Sequence, residues 1–426
     1  MKKGIAVFLS ILMFISVSAP SFFALEEQGD KSVAAQEENT DEYEQEAENV
    51  FSQQSVAAMA GSDSFVNKIA STDSFEVPCK SAFLMEEETG QILYVKNPEE
   101  KLAIASITKI MTMLLVSEAL DTGKIRLSDT VPVSNHAYSM GGSQIWLEPG
   151  EVFTVDEMLK AVAVHSANDA AVALAELVGG SEEIFCDMMN KRGQQLGMKD
   201  THFVNACGLD AQDHYSTAKD VAIMAKELMR HQIIFNYTTI WIDYLRGGKT
   251  QIVNTNKMLR SYSGVTGLKT GTTGKAGVCI CATAKRNDMS LIAVVLGASS
   301  SPERFSAAKK MLDFGFSNFE TKQFPDTSAI PKLIKVKYSD VKLAPLSFNL
   351  PKKLLFLKGS TTLLTCKVDL PEFIAAPMYE GMKVGNISLY SQNGKIKEYD
   401  IVLTQDIDKI NLNKAWALLT KSVADM

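Results

Sequence analysis

Apolar runs and polar breaks along the chain predict interleaved strands and helices from residue 77 onward. Strands are predicted where short apolar runs are bounded by turn residues, namely at residues 81–85, 91–95, 277–284 and 290–296. Helices are predicted where apolar residues recur at helical spacing, namely at residues 104–120, 155–165 and 169–178. This half of the chain is therefore expected to be an α/β (α+β) domain, with helices packed on an antiparallel sheet.

The pattern changes near residue 323, where helical spacing gives way to short strands alone. The predicted strands are residues 333–338, 353–357, 361–368, 383–390 and 395–403. The dipeptide Asn393-Gly394 is the usual signal for a tight hairpin between the last two of them. A small all-β domain without convergent polar chemistry is therefore expected after the first domain.

Both ends of the chain differ from these two domains. Lys2 and Lys3 precede an apolar run that is short for a membrane span, and small residues follow it, which is typical of a secretory signal peptide. An uncleaved anchor is the alternative. Acidic residues then dominate up to about residue 50, where apolar residues are too few to form a core. A solvated linker is favoured over an acidic interaction tail.

The C-terminal tail has the spacing of an amphipathic helix. Leu412, Trp416 and Leu419 would share one helix face, flanked by lysines. The predicted organisation is a signal peptide (1–24), an acidic disordered linker (25–76), a catalytic α/β domain (77–322), a β-rich domain (323–406) and this tail (407–426). We expect the protein to be exported, and the tail to make peripheral contact with a membrane.

Composition and charge narrow the class of protein. The chain has 426 residues, 46% hydrophobic and 22% charged, with a net charge of -7, which is an ordinary globular composition. This charge gives no reason to expect nucleic-acid binding. The six cysteines have no metal-binding spacing, so mostly free, buried thiols and no metal site are expected.

The first candidate for chemistry is Ser106-Ile107-Thr108-Lys109, at the start of a predicted helix. Residues three apart on a helix are neighbours, so Ser106 and Lys109 are expected to meet in its first turn. A serine needs a base to become a nucleophile, and a lysine kept neutral by burial or by a second cation can supply it. Alone, the motif is weak, because most such lysines are solvated.

Two later motifs add polar groups at unusual positions. Ser166-Ala167-Asn168 interrupts two apolar helices, and its polar side chains are either helix caps or parts of a site, as a proton relay and a substrate contact. Lys269-Thr270-Gly271-Thr272 supplies a cation, a hydroxyl and a glycine that allows close backbone approach. A solvated lysine on an edge strand is the alternative for Lys269.

Ser-x-x-Lys, Ser-x-Asn and Lys-Thr-Gly in this order resemble the penicillin-binding protein and serine β-lactamase superfamily. More closely, the chain is similar to low-molecular-mass D-alanyl-D-alanine carboxypeptidases of the DacF and penicillin-binding-protein-5 type, peptidase family S11. The resemblance covers roughly residues 78–426. It implies a serine enzyme without a cofactor that removes the terminal D-alanine from peptidoglycan pentapeptides, and that β-lactam antibiotics inhibit.

The resemblance also implies roles for individual residues. Ser106 would attack the carbonyl between two D-alanines, Lys109 would take its proton, and Ser166 would pass a proton to the leaving amine. The expected substrate-binding residues are Asn168, Lys269, Thr270, Gly271, Thr272 and Arg304. The backbone N–H groups of Ser106 and Thr272 would form the oxyanion hole. Thr272 is a departure, because the best-known relative has histidine there; the backbone N–H is unaffected. Cys207 is read as a buried bystander.

The resemblance also leaves rival functions open. A β-lactamase shares the motifs, although no deacylating glutamate is evident and the added β-domain argues against it. A DD-endopeptidase acting on cross-links is a closer variant. A non-catalytic penicillin-binding sensor is the rival that is not an enzyme. Export implies work at the outer face of the cytoplasmic membrane, or in the cell wall or as a secreted protein.

Overall fold

A computed structural model describes residues 76–392, 394–413, 415, 416 and 420. The predicted signal peptide and the acidic linker up to residue 75 lie outside the described residues. The helices are α1 (Lys109–Asp121), α2 (Asn135–Tyr138), α3 (Val155–Lys160), α4 (Asn168–Gly179), α5 (Glu182–Leu196), α6 (Ala218–Arg230), α7 (Phe235–Thr238) and α8 (Ser301–Asn318).

The strands fall into two groups along the chain. The first group is β1 (Ser81–Glu86), β2 (Ile92–Lys96), β3 (Thr130–Val131), β4 (Phe153–Thr154), β5 (Ile242–Leu245), β6 (Thr250–Val253), β7 (Val265–Thr273), β8 (Gly277–Arg286) and β9 (Met289–Ala298). The second group is β10 (Phe319–Gln323), β11 (Leu333–Lys337), β12 (Leu343–Phe348), β13 (Lys353–Leu357), β14 (Thr365–Asp369), β15 (Phe373–Ala375), β16 (Lys383–Ser391) and β17 (Gly394–Leu403).

Five strands of the first group form an antiparallel sheet of order β2-β1-β9-β8-β7, with helices on both faces, while β3 pairs with β4 and β5 pairs with β6. Successive residues of a strand point to opposite faces, so Phe83 and Met85 join one core while Ala82 and Leu84 join the other. Burial on both faces explains why β8 and β9 read as continuous apolar runs. The four strands predicted for this domain are confirmed.

The segment that carries Ser106 differs from the prediction. The predicted helix begins with a 3-10 turn at Ala105–Thr108, and α1 starts only at Lys109. Ala105 has a left-handed backbone, with φ of 49°. The turn is tight because another backbone presses on it: a Cβ built on Gly208 would stand 1.9 Å from the Ala105 carbonyl oxygen. Packing therefore overrides the α-helical pattern at this point.

The polar break at residues 166–168 is confirmed, and its cause is local. Helix α3, which begins with a capping box, continues as a π-helical turn at Ala161–His165. The chain then turns at Ser166, whose φ is 64°, and α4 begins at Asn168. The N-cap of α4 is Ala167, without a side-chain hydrogen bond, so the alternative in which Asn168 or Ser166 serves as a cap is wrong.

The C-terminal strands form an all-β domain. Six of them make a sheet of order β14-β16-β17-β12-β11-β15, while β10 pairs with β13. The hairpin predicted at Asn393-Gly394 joins β16 to β17, with Ser391 opposite Gly394; Asn393 itself lies outside the described residues. The sequence pattern missed β12, where Pro345 weakens the strand signal although it pairs with Leu333.

Strand β10 spans the boundary predicted between residues 322 and 323. The predicted tail helix does not begin at Ile407, because that residue pairs with Met378 in a β-bridge. The backbone is helical at residues 412, 413, 415, 416 and 420, and most of the remaining tail lies outside the described residues. Leu412 and Trp416 are 88% and 71% exposed. Within the described part of the chain, no helix combines the length and apolar composition that crossing a bilayer requires.

Candidate active site

Ser106 and Lys109 meet, as their spacing predicts. The space bordered by the turn that carries Ser106, by residues 141–152 and by strand β7 is called the cleft below. Lys109 Nζ lies 2.9 Å from Ser106 Oγ, 2.6 Å from Asn168 Oδ1 and 2.6 Å from the carbonyl oxygen of Cys207. A neutral amine donates two hydrogen bonds and accepts one. It can therefore donate to Asn168 and Cys207 while it accepts the Ser106 proton, which is the arrangement that a general base needs.

Burial is the main reason that Lys109 can be neutral. It lowers the pKa of Lys109 to about 8, while the Cys207 thiol and the Asp169 carboxylate act in the opposite direction. Burial also holds the pKa of Lys269 well below its usual range, and repulsion from Lys109 and Arg304 adds to this effect. The sequence argument left burial and a second cation as alternative causes at Lys109, and burial is the cause that lowers its pKa.

The carbonyl of Cys207 is a contact that sequence reasoning missed. Asn205 Oδ1 accepts hydrogen bonds from the backbone N–H groups of Gly208 and Leu209, at 2.6 and 3.2 Å, and so folds a loop that aims this carbonyl at Lys109. The Cys207 thiol is 1% exposed, as expected of a bystander, but its main chain belongs to the site. A backbone carbonyl has no side-chain signature that would have revealed it.

Ser166 and Lys269 form a second buried pair. Lys269 Nζ donates to Ser166 Oγ at 2.8 Å and to the Thr270 carbonyl at 3.0 Å. Although β7 is an edge strand, Lys269 is only 1% exposed, so the alternative of a solvated lysine is wrong. The chain places this pair beside Ser106 and Lys109, because Asn168 lies in the same break as Ser166 and contacts Lys109.

Strand β7 runs directly against the 3-10 turn that carries Ser106. A Cβ built on Gly271 would stand 3.0 Å from the Ser106 backbone nitrogen and 2.8 Å from the Ile104 carbonyl oxygen, so only glycine fits without a shift. Thr270 Oγ1 donates to Thr255 Oγ1 at 2.7 Å, which identifies Thr255 as a supporting residue that the motifs did not reveal.

Arg304 braces the end of β7 from α8. Its Nη1 donates to the Gly271 carbonyl and Thr272 Oγ1, both at 3.1 Å, and to the Cys279 carbonyl at 3.2 Å. Arg304 is 7% exposed, and its Nε has no hydrogen-bond partner among the described residues. The Nη1 group of Arg304 thus holds the end of the strand.

A loop forms the wall of the cleft beside Ser166. Asn168 Nδ2 donates to the Gly141 carbonyl at 2.7 Å, and the Asn168 backbone N–H donates to the Ser143 carbonyl at 2.7 Å. The neighbouring Asp169 is fully buried and accepts from the backbone of Ile145 and Leu147. Both ends of the Asn168 amide are thus engaged by the protein, and Asp169 is a supporting residue that no motif indicated.

The described residues 76–413 contain no group of three His, Cys, Asp or Glu side chains that could hold a metal ion. The six cysteines are free thiols, buried or half-buried. The arrangement brings together a serine in contact with a buried lysine, a second buried lysine and backbone N–H groups close to that serine.

Two family models match nearly the whole described chain. Residues 67–300 match D-alanyl-D-alanine carboxypeptidase, peptidase S11. Residues 319–409 match the C-terminal domain of penicillin-binding protein 5.

Curated relatives and solved structures agree with these matches. The chain is 46% identical to D-alanyl-D-alanine carboxypeptidase DacF of Bacillus subtilis, over 78% of this chain and 86% of that one. It is 34% identical to DacC of Escherichia coli, over 78% and 85%. Penicillin-binding protein 5 from Haemophilus influenzae superposes with a TM-score of 0.69 at 30% identity, over 79% and 99%. Penicillin-binding protein D2 from Listeria monocytogenes, in an ampicillin-bound form, gives 0.53 at 30%, over 57% and 99%.

Proposed function

The chain belongs to the serine-type D-alanyl-D-alanine carboxypeptidases of peptidase family S11, and from this premise we propose how its residues perform the reaction. The observation that carries the proposal is the triple contact of Lys109 with Ser106, Asn168 and Cys207. It leaves the lysine lone pair directed at the serine hydroxyl. Ser106 is the nucleophile and Lys109 is the base.

Acylation begins when Lys109 takes the proton of Ser106 and the serine oxygen attacks the carbonyl between the two terminal D-alanines. The carbonyl oxygen becomes an oxyanion, which the backbone N–H groups of Ser106 and Thr272 stabilise. The close approach of Gly271 to Ser106 supports this assignment, because it brings β7 to the turn that carries the nucleophile. Each such donor is worth about 3 kcal/mol in comparable enzymes.

Collapse of the tetrahedral intermediate breaks the peptide bond, and the leaving D-alanine amine needs a proton. Ser166 delivers its hydroxyl proton, and the Lys109 ammonium passes to Ser166 the proton that it took from Ser106, so that Lys109 is neutral again. The Ser166 hydroxyl is positioned by Lys269 at 2.8 Å. The departing D-alanine carboxylate faces Lys269, Thr270 and Arg304. The contact of Arg304 Nη1 with Thr272 Oγ1, at 3.1 Å, supports that placement, because it brings the guanidinium to the end of β7. Water then attacks the acyl-enzyme, with Lys109 again as the base, and releases the shortened peptide.

The substrate that fits this chemistry is the peptidoglycan pentapeptide, with its D-Ala-D-Ala terminus. β-Lactams present a comparable carbonyl and acylate the same serine, but the acyl-enzyme that they form is hydrolysed slowly. An ampicillin-bound relative supports this proposal. We place the enzyme outside the cytoplasm, at the outer face of the membrane or in the cell wall, because residues 1–24 read as a signal peptide.

The catalytic domain spans 77–322, the β-domain spans 323–406, and the tail from 407 to 426 makes peripheral membrane contact in this proposal. The exposed Leu412 and Trp416 support it, because they are four residues apart and belong to one face of a helix. The β-domain then separates the cleft from the membrane surface.

The direct test of the reaction is D-alanine release from a peptide that ends in D-Ala-D-Ala. We expect release by the wild type and none by Ser106→Ala. Ser117→Ala is the matched control, because Ser117 lies further along α1, is fully buried and has no hydrogen-bond partner among the described residues. It should retain activity.

The same assay separates the rival functions. Rapid hydrolysis of benzylpenicillin without D-alanine release would indicate a β-lactamase, and cleavage of cross-linked muropeptides alone would indicate an endopeptidase. A folded wild type that binds penicillin but turns over none of these substrates would be a sensor.

A further inference from the structure

The cleft-wall segment, residues 141–152, is fixed by two charged side chains. Asp169 accepts hydrogen bonds from the backbone N–H groups of Ile145 and Leu147, at 3.1 Å each. Arg246 takes the carbonyl groups of the same stretch: its Nη1 donates to Ile145 and its Nη2 donates to Trp146, both at 2.9 Å. The backbone on both sides of Trp146 is therefore tied down.

Arg246 also pairs with Glu151 at the far end of the segment. The contact has two prongs, with Nε 2.7 Å from Oε1 and Nη2 2.8 Å from Oε2. The guanidinium lies over the Phe153 ring, 5.1 Å from its centre. Only the planar fork of arginine can make all of these contacts together. Arg246 and Glu151 thus form a clamp that joins the β5–β6 hairpin to the cleft wall.

The clamp holds two residues in a strained backbone. Trp146 has φ of 58° and Arg246 has φ of 54°, a left-handed region that bulky residues rarely occupy. Ala105 and Ser166, both in the site, share this feature, with φ of 49° and 64°. Strain of this kind persists where the surroundings enforce it, and it concentrates at functional sites.

Stability does not explain the strain at Trp146, because its side chain contributes little to the core. The Trp146 residue is 72% exposed, although four hydrogen bonds from Asp169 and Arg246 hold its backbone and that of the residues on either side of it. The result is a large aromatic ring that projects into solvent from a rigid base. Aromatic rings of this kind give a broad contact area at a low cost in conformational entropy.

Trp146 lies three residues beyond Ser143, in the segment that contacts Asn168. The D-alanine carboxylate faces β7 and Arg304, so the peptide upstream of the reacting carbonyl leaves the cleft past Asn168. The Asn168 N–H donates to the Ser143 carbonyl at 2.7 Å, and Trp146 follows shortly along the same wall.

We propose that Trp146, held by Asp169 and Arg246, is a recognition surface for the peptide stem upstream of the terminal D-Ala-D-Ala. This rests on the function proposed above. The contact adds affinity for peptide substrates with a long upstream stem and takes no part in the chemistry at Ser106.

The test compares three reagents that share the chemistry and differ in upstream length: the full pentapeptide, an N-acylated D-Ala-D-Ala dipeptide, and benzylpenicillin. In Trp146→Ala, kcat/KM for the pentapeptide should fall about tenfold, a usual size for truncating an aromatic contact residue. The dipeptide and the benzylpenicillin acylation rate should stay within about twofold of wild type. Trp146→Phe should retain most of the pentapeptide activity.

Tyr338→Ala is the matched control. Tyr338 is an exposed aromatic residue (63%) with φ of 63°, but it lies in the β-domain, so none of the three rates should change. Equal loss with all three reagents in Trp146→Ala would show that Trp146 only positions catalytic residues, and would overturn the proposal, as would no loss with any. No release by the wild type from either peptide would overturn the proposed function itself.

Discussion

In the proposed mechanism Lys109 decides whether Ser106 is reactive, because only the neutral amine can accept the serine proton. It is fully buried, and burial lowers its pKa to about 8. Because this pKa lies close to neutral pH, part of the Lys109 population carries a proton there and cannot act as the base. Burial disfavours the ammonium form, and the hydrogen-bond partners of Lys109 in the described part of the chain are one hydroxyl and two carbonyl oxygens, with no carboxylate among them.

The pH dependence of acylation follows from this pKa. Since deprotonation creates the base, the rate of benzylpenicillin acylation should rise with pH and level off above about 8. The measurement is the second-order rate constant between pH 6 and about 9.5, with the fold checked by circular dichroism. A rate that is flat or falls over this range would contradict Lys109 as the base.

Asn168→Asp should move that profile in a known direction. The substitution keeps the shape of the side chain but puts a carboxylate where Oδ1 lies 2.6 Å from Lys109 Nζ. An opposite charge favours the ammonium form, so the pKa of Lys109 should rise by one unit or more. The pH at which the acylation rate increases should move upward by the same amount. Acylation at pH 7 should then fall by roughly tenfold or more. An unshifted limb would show that this contact does not tune the base.

At the level of elements, the site depends on how closely β7 approaches the turn before α1. Gly271→Ala should push these elements apart, because the new methyl group would meet two backbone atoms at 2.8 and 3.0 Å. We expect the acylation rate to fall by about 10²- to 10³-fold, as when one oxyanion donor is lost.

Gly274→Ala is the comparison for this substitution, because a Cβ there meets nothing within 4 Å. It should leave the acylation rate within about twofold of wild type. Wild-type acylation by Gly271→Ala would mean that β7 contributes no donor that depends on this approach.

The sequence predicted the elements better than their contacts. Burial on both faces of the sheet leaves a clear apolar signal, and β8 and β9 were found from it. The tight turn at Ala105–Thr108 was not, because its form is imposed by Gly208 and Gly271, which are remote in the chain. Strand β12 was missed for a local reason, since Pro345 lowers strand propensity wherever it occurs.

In the candidate site, too, the sequence predicts some residues and misses those that act through contacts of the folded chain. Ser106, Lys109, Ser166 and Lys269 could be named from their motifs, since side-chain chemistry at fixed spacing is visible in a sequence. Cys207 acts through a backbone carbonyl, which every residue has. Thr255 and Asp169 contribute through contacts with segments far along the chain, and these exist only once the fold is formed.

For the whole molecule, the α/β domain and the β-domain are joined by polar contacts near the β8–β9 turn. Lys353 Nζ donates to the Asp288 carbonyl at 3.0 Å and lies 3.2 Å from a Glu88 carboxylate oxygen. Thr321 Oγ1 donates to the same carbonyl. None of these contacts involves a residue of the candidate site or of the tail, and we expect the chemistry at Ser106 to be independent of the tail.

Deletion of residues 409–426 should therefore separate location from catalysis. We expect the truncated protein to move from the membrane fraction to the soluble fraction, because the exposed Leu412 and Trp416 are removed. D-alanine release from a soluble peptide should stay within about twofold of the full chain. Unchanged fractionation would contradict the membrane role of the tail.

The most direct test of the central claim is to map the penicilloyl adduct after brief exposure of the intact protein to benzylpenicillin. Mass spectrometry of the digested protein should place one adduct on the peptide containing Ser106, and Lys109→Met should slow its formation by several orders of magnitude. An adduct on any other residue, or an undiminished rate in Lys109→Met, would contradict a mechanism in which Lys109 activates Ser106.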